Sequence, residues 1–360
     1  MYLVVTRSFP PEVGGMQNLM WGLTDSLSKI DLTKVFADHH EKYKEFDKKA
    51  SFSIERIGGL KILRKYRKAY LINDFIEKNK NIKCIISDHW KSLELIKTNK
   101  KKICLIHSKE INHDNGSRLN KRATNVLNNV DYVISNSEFT KNLAINKGVK
   151  AQNIKVINPG VYPVKALDKK FLKEADKILN NKNPKLITVS RFDKRKNHEK
   201  VIMALRNLKE IYPKIIYTCV GYGDEEENLK KLVKELKLQN HVNFFNNISQ
   251  ELKNALIQKS DIFVMPSITY KKSVEGFGIA YIEAAQYGVP SIGGKDGGAA
   301  DAIKNNETGL ICDGNSLEEV YTSIKNLIEN KKFIEFGEKA KELSNNYLWE
   351  NILNKYKEIL

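Results

Sequence analysis

The chain has 360 residues, enough for two domains of ordinary size, and its 41% apolar and 29% charged content is that of a soluble globular protein. No run reaches the ~18 apolar residues of a spanning helix, and Met1-Tyr-Leu-Val-Val-Thr-Arg7 is too short for a signal peptide and reads as a first strand. The formal charge is +18 and uneven: residues 1–164 carry net +13 and residues 165–360 net +5, so the first half is the part expected to meet something anionic.

Strand-like apolar runs alternate with helical stretches along the whole chain. Those of the first half lie at 2–5, 35–37, 82–87, 102–106, 132–135 and 154–157. Those of the second lie at 186–190, 215–220, 242–245, 262–265 and 289–293. Such alternation predicts doubly wound parallel sheets. The strands pause over a lysine-rich stretch at 164–184, which reads as the junction between two Rossmann-like domains, 1–164 and 165–345. Residues 347–360 read as an amphipathic helix. Cys84, Cys104, Cys219 and Cys312 stand apart in apolar segments, as free thiols rather than disulfides or zinc ligands.

In the loop after the first strand, Gly14-Gly15 precedes a helix and resembles a phosphate-approach loop, although a turn made flexible by glycine gives the same pattern. Residues 60–76 place Leu60, Leu63, Tyr66, Tyr70 and Phe75 near one helical face, with Lys61, Arg64, Lys65, Arg67 and Lys68 on the polar side. A helix of this kind can lie on an anionic bilayer, each cation adding ~1 kcal/mol. It equally describes a surface helix packed on its own sheet. His107 follows the strand at 102–106, at the end where such folds place ligands, yet a lone histidine there also serves structure. The remaining histidines have no matching carboxylates, so no metal site is expected.

The second half opens with Ser190-Arg-Phe-Asp-Lys-Arg-Lys-Asn197 just beyond a strand. Arg191 and Lys196 suit a diphosphate, the one as a bidentate fork and the other as a point charge, while a solvated charge run looks the same. Gly221 starts a tight turn after the next strand. The stretch Ser273-Val-Glu-Gly-Phe-Gly-Ile-Ala-Tyr-Ile-Glu283 follows the run at 262–265 and turns helical near Phe277-Gly278-Ile279. It puts Glu275 and Glu283 eight residues apart, on either side of the helix start. Free N–H groups there suit a phosphate, and flanking carboxylates suit sugar hydroxyls; an ordinary βα loop has the same spacing.

Taken in order, the motifs at 10–15, 190–197, 221–225, 275–283 and 307–311 resemble the retaining nucleotide-sugar glycosyltransferases of family 4, and they cover nearly the whole chain. The loop Phe9-Pro-Pro-Glu-Val-Gly-Gly-Met-Gln17 is most similar to the phosphatidylinositol mannosyltransferase-like branch. The resemblance implies a GT-B fold, two facing Rossmann-like domains, with the C-terminal helix at 346–360 packed back on the first. It implies transfer of a hexose, from a UDP- or GDP-linked donor, to a hydroxyl of a membrane lipid or lipid-linked acceptor. A soluble, lipopolysaccharide or polysaccharide intermediate is the alternative acceptor.

By the same resemblance Arg191 and Lys196 hold the diphosphate in place of a metal, and no cofactor is required. Glu275 grips donor-sugar hydroxyls, Glu283 the ribose, and His107 lies near the reacting carbon. Gly14, Gly15, Gly221, Phe277, Gly278 and Ile279 complete the donor contacts. The expected location is the cytoplasm, peripheral on the inner face of the cell membrane, through Lys61, Arg64, Lys65, Arg67 and Lys68. Two stretches depart from the family pattern, Asn158-Pro-Gly-Val-Tyr162 and Gly297-Gly-Ala-Ala-Asp301. A nucleic-acid-binding protein, suggested by the basic charge, lacks any recognised module, and an NAD enzyme lacks a GxGxxG opening a βαβ unit.

Overall fold

Every residue of β1 (Tyr2–Val5) is buried, Tyr2 and Val4 in one apolar cluster and Leu3 and Val5 in another. Successive side chains of a strand point to opposite faces, so a strand apolar at every position must be covered on both. The computed structural model describes residues 1–60 and 62–360. It divides into unit 1, residues 1–162 with 347–360, and unit 2, residues 163–346.

Unit 1 adds β2 (Thr33–Asp38), β3 (Ser53–Ile57), β4 (Cys84–Ser87), β5 (Lys101–Ile106), β6 (Tyr132–Ser135) and β7 (Ile154–Val156). The sheet order is β3-β2-β1-β4-β5-β6-β7, parallel throughout. Unit 2 holds β8 (Lys185–Val189), β9 (Ile216–Val220), β10 (Val242–Phe245), β11 (Ile262–Met265), β12 (Ser291–Gly294) and β13 (Gly309–Cys312). Its order is β10-β9-β8-β11-β12-β13, also parallel. Each sheet is thus Rossmann-like, as the alternation of strands and helices predicts.

Two strands escape that alternation, and both are edges. β3 reads Ser-Ile-Glu-Arg-Ile and is mostly half-exposed, so its charges hide it among polar residues. β13 is a four-residue strand that pairs on one side only.

The C-terminal residues close unit 1. Val161 N donates to Tyr347 O at 2.8 Å and Trp349 N to Val161 O at 3.0 Å. The helix Trp349–Lys357 then buries Trp349, Ile352, Leu353 and Tyr356 in the cluster that holds Val4 and Leu23. The Trp349 indole occupies the space that a side chain at Gly22 or Gly160 would need. All four cysteines are buried and free. No helix among the described residues is long and apolar enough to cross a membrane.

Candidate functional site

In an open parallel sheet, ligands gather beyond the strand ends where the order reverses direction. In unit 2 that point lies between β8 and β11, since β8 continues outward to β9 and β11 to β12. The loop after β8 carries Arg191–Asn197, and the loop after β11 carries Glu275. They meet: Lys196 Nζ and Arg195 Nη1 both donate to Glu275 Oε2, the latter at 2.7 Å. Lys196 Nζ also lies 3.4 Å from Met265 Sδ.

Local bonds set this arrangement. Asp193 Oδ1 accepts from Lys196 N at 3.1 Å, turning the backbone so that two successive cations point inward. Asn197, left-handed at φ 62°, donates from Nδ2 to Pro266 O at 2.9 Å and Gly314 O at 2.7 Å. Asparagine tolerates this conformation, and its amide ties the first loop to the second. Behind Glu275, Gly298 N donates to its carbonyl at 2.9 Å. Gly297 is left-handed at φ 101°, and a Cβ there would strike the same carbonyl. The departing Gly297-Gly298 stretch therefore supports the backbone of Glu275.

Glu275 is only 9% exposed. Burial pushes its pKa up, but the charges of Lys196 and Arg195 outweigh burial and hold the carboxyl at about 2. Burial pulls the Lys196 ammonium below the ordinary lysine range, against the attraction of Glu275. Two cations share one carboxylate oxygen and Asp193 lies 4.0 Å from Arg195, so it is Arg191 and Lys194 of the same loop that leave positive charge in excess. Such a place is prepared for an anion.

Arg191 and Glu283 stand apart from this cluster. The Arg191 side chain is 66% exposed and pairs with Asp193 at 3.1 Å. Glu283 is half-buried and sits 3.7 Å from Lys253. Arg195 is the residue the sequence leaves unassigned; its pattern offers three neighbouring cations, and only the turn at Asp193 decides which face inward. Gly278 (φ 86°) caps the short helix Ile279–Ala285, with Phe277 buried beside it, and Gly221 N donates to Phe245 O at 2.8 Å.

Unit 1 reverses strand order between β1 and β4, and there the structure places an acid. Asp88, after β4, is 2% exposed and accepts from Thr6 Oγ1 at 2.8 Å, Arg7 N at 3.1 Å and Ser8 N at 3.2 Å. Burial raises its pKa. It orders the start of the loop that leads to Gly14 and Gly15. Gly14 has extended backbone, φ 166°, that any residue adopts, and Gly15 opens the helix Gly15–Ser28.

His107, after β5, donates its backbone N–H to Glu110 Oε1 at 2.5 Å. Burial lowers its pKa to about 4, so the imidazole is neutral at pH 7. Its Nε2 is buried without a hydrogen-bond partner among the described residues, as is Asn136 Oδ1. Both residues line one narrow space with Leu19, Ile157 and Tyr356.

The basic helix does not carry the free cations its sequence suggests. Lys68 is 5% exposed, its Nζ donating to Thr6 O at 2.7 Å and Asp38 Oδ1 at 2.5 Å. Arg64 pairs with Asp38 at 3.2 Å, and Arg67 donates to Gly58 O. Lys61 lies outside the described residues. Lys65 alone of the described four is exposed, its Nζ 4.6 Å from the Tyr66 ring centre. Of the group, Lys68, Arg64 and Arg67 are engaged within unit 1, because Asp38 and two backbone carbonyls need donors. Beside Lys65 the outer surface presents apolar side chains, with Leu60 at 74%, Ile62 at 85% and Tyr70 at 71% exposed.

The fold is that of the GT-B glycosyltransferases. The UDP complex of HepE from Anabaena matches with a TM-score of 0.83 over 99% of this chain and 98% of that one, at 18% identity. Sucrose-phosphate synthase from Thermosynechococcus elongatus matches at 0.81 over 99% and 98%, at 19% identity. The chain belongs to the nucleotide-sugar glycosyltransferases: residues 13–165 match the model described as Glycosyltransferase Family 4, and residues 169–347 that of Glycosyl transferases group 1. A GDP-mannose-dependent alpha-(1-6)-phosphatidylinositol monomannoside mannosyltransferase of Mycolicibacterium smegmatis is 24% identical over 354 residues, 92% of this chain and 90% of that protein. An uncharacterized glycosyltransferase of Methanocaldococcus jannaschii is 30% identical over 237 residues, 65% of this chain and 59% of that protein.

Proposed function

We propose that this glycosyltransferase moves a hexose, with retention of configuration, from a UDP- or GDP-linked donor to a hydroxyl of a membrane lipid or lipid-linked acceptor. The observation that carries the donor half is the pair of inward cations at the unit 2 switch point sharing one oxygen of Glu275. A donor diphosphate brings its own negative charge to Lys196. It loosens that cation's hold on Glu275 and frees the carboxylate to accept hydrogen bonds from sugar hydroxyls. Arg191, exposed at the same loop, closes on the diphosphate from outside, and Glu283 receives the ribose. As the bond from the anomeric carbon to the phosphate oxygen breaks, negative charge grows on the leaving diphosphate, and these cations stabilise it without a metal. The acceptor hydroxyl attacks from the same face and passes its proton to a donor phosphate oxygen. His107 is the neutral residue assigned to the neighbourhood of the reacting carbon.

The lipid half rests on relatives such as the mycobacterial mannosyltransferases and on the exposed Leu60, Ile62, Leu63, Tyr66 and Tyr70. We assign peripheral contact with the inner face of the cell membrane to these apolar side chains and Lys65, in place of the basic cluster. A polysaccharide intermediate is the second acceptor reading, favoured by an amylovoran biosynthesis glycosyltransferase of Erwinia amylovora at 28% identity over 177 residues.

Thermal unfolding with UDP, GDP, ADP or NAD, in EDTA, tests the donor. One nucleoside diphosphate at a hundredfold its Kd is expected to add ~2.7 kcal/mol, and Lys196→Ala to abolish the shift. Stabilisation by NAD alone would overturn the reading.

A further inference from the structure

The helix Arg118–Asn128 of unit 1 contains no acidic residue, and Arg118 and Lys121 make no ion pair among the described residues. Elsewhere surface lysines commonly face an acid four residues away, as in Lys29–Asp25, Lys78–Asp74, Lys230–Glu226 and Lys339–Glu335. Arg118 and Lys121 instead line an open groove of about 500 Å3 with Gly116, Arg122 and Asn125. Gly116 leaves open space where a side chain would stand.

The third cation of the groove is fixed in place. Arg122 donates from Nε and Nη2 to the two oxygens of Glu94, each at 2.7 Å, and its guanidinium carbon lies 5.5 Å from the Trp90 ring centre. Lys91 Nζ lies 5.2 Å from the same ring. Burial, then Arg7 and Arg122, and more weakly Lys65, pull the Lys91 ammonium below its ordinary range, with Glu94 opposing. Glu94 itself is held below the usual carboxylate range, first by its bond to Arg122, with Lys65 and Lys91 adding to the effect. Three cations, Arg122, Lys65 and Lys91, thus act on one carboxylate, and Arg118 and Lys121 line the groove beside them.

We propose that this groove binds a phosphate-bearing ligand. Phosphate oxygens accept from Arg118 and from Nη1 of Arg122, the end of its guanidinium that Glu94 does not hold, while Lys121 adds a point charge. The site is built from other residues than the cluster of unit 2. That its ligand is the charged end of the acceptor rests on the transferase reading; that it binds phosphate does not. The groove is also linked to the candidate catalytic loop. Trp90, which backs Arg122, donates from Nε1 to Glu110 O at 2.9 Å, and the Glu110 carboxylate holds the His107 N–H.

The test is calorimetric titration with inorganic pyrophosphate, in EDTA at low salt, of the wild type, Arg118→Gln/Lys121→Gln and Lys196→Ala. The wild type is expected to show two binding events. The double variant weakens one by about tenfold or more, and Lys196→Ala removes the other. Unchanged melting of the double variant shows that it folds, as expected for exposed positions. Co-sedimentation with phosphatidylcholine vesicles carrying phosphatidylglycerol separates the sources. Pyrophosphate binding and vesicle capture that fall together in the double variant support the site and make its ligand a lipid headgroup. Pyrophosphate binding lost with capture unchanged supports it with a soluble phosphate as ligand. A double variant that matches the wild type in both overturns the groove and leaves the donor reading intact. Lys196→Ala that titrates like the wild type overturns the donor reading and leaves the groove standing.

Discussion

At the scale of single residues, Glu275 is where stability and chemistry share one group. Its pKa, about 2 in the folded protein, compares with roughly 4.3 for an unperturbed glutamate. Because the folded value is the lower, the stabilisation is complete above the unfolded value and is lost as pH falls through the folded one. It is of the order of 3 kcal/mol at pH 7. Glu275→Gln keeps the size and removes the charge, leaving Lys196 and Arg195 uncompensated. In urea at pH 7 the variant is expected to lose ~3–5 kcal/mol, and the gap to wild type is expected to shrink between about pH 4 and pH 2. A gap independent of pH would count against the ion pair as its source. Arg195 and Arg191 separate in the same way. Arg191→Gln, at an exposed side chain, should change stability by less than about 0.5 kcal/mol while weakening nucleoside diphosphate binding. Arg195→Met removes a buried partner of Glu275, and denaturant titration should show a loss several times larger. Equal costs for the two would mean that they are not divided between inside and outside.

At the scale of one element, the helix Arg64–Lys78 shows both how much the sequence reveals and where it stops. Periodicity finds the helix, but Leu60, Leu63, Tyr66 and Tyr70 of the face it singles out are exposed, and the face that packs on the sheet carries Ala69, Ile72 and Ile76. It misplaces the polar side, because the buried face also takes Lys68, whose partners Thr6 and Asp38 lie 62 and 30 residues away in sequence. No local pattern contains such a partner. Lys68→Met should therefore cost ~2–4 kcal/mol in denaturant unfolding, since a buried carbonyl and Asp38 lose their donor, whereas Lys65→Gln should cost less than about 0.5 kcal/mol. Capture on anionic vesicles should fall with Ile62→Asn/Tyr70→Ser, which leaves every cation of the helix in place. Loss of capture in Lys65→Gln alone, with none in the apolar variant, would restore a purely electrostatic contact. The switch point of unit 2 was legible for a different reason. Its motifs sit in loops at the ends of strands that the sequence reveals; that β8 and β11 are neighbours, which brings Lys196 and Glu275 together, is visible only in the sheet order. The choice between Arg191 and Arg195 was not legible, because it turns on one side-chain cap at Asp193.

At the scale of the molecule, the last residues of the chain complete a core begun by the first. Trp349 fills the space above Gly22 and Gly160 and joins Ile352, Leu353 and Tyr356 in the cluster of Val4, Met20 and Leu23. Sequence reveals the amphipathic helix; that Gly22, in the middle of the helix Gly15–Ser28, stands where an indole must pass is visible only once the two are packed. A glycine inside a helix costs about 1 kcal/mol relative to alanine, so its presence there is explained by what it admits. Trp349→Ala should empty that space and cost ~3–5 kcal/mol, the cavity adding to the lost transfer energy. Gly22→Ala should also destabilise, by steric overlap with the indole, although alanine is the better helix former. In the double variant, alanine at position 22 meets no indole, so its helix propensity acts alone and part of the loss should return. Amide hydrogen exchange reads this strand by strand. Protection should fall by a similar free energy in β1 and β2, which share the cluster with Trp349 through Val4 and Val35. Additive losses in the double variant would mean that Gly22 and Trp349 do not act through a shared contact, and the account of the helical glycine would go with it.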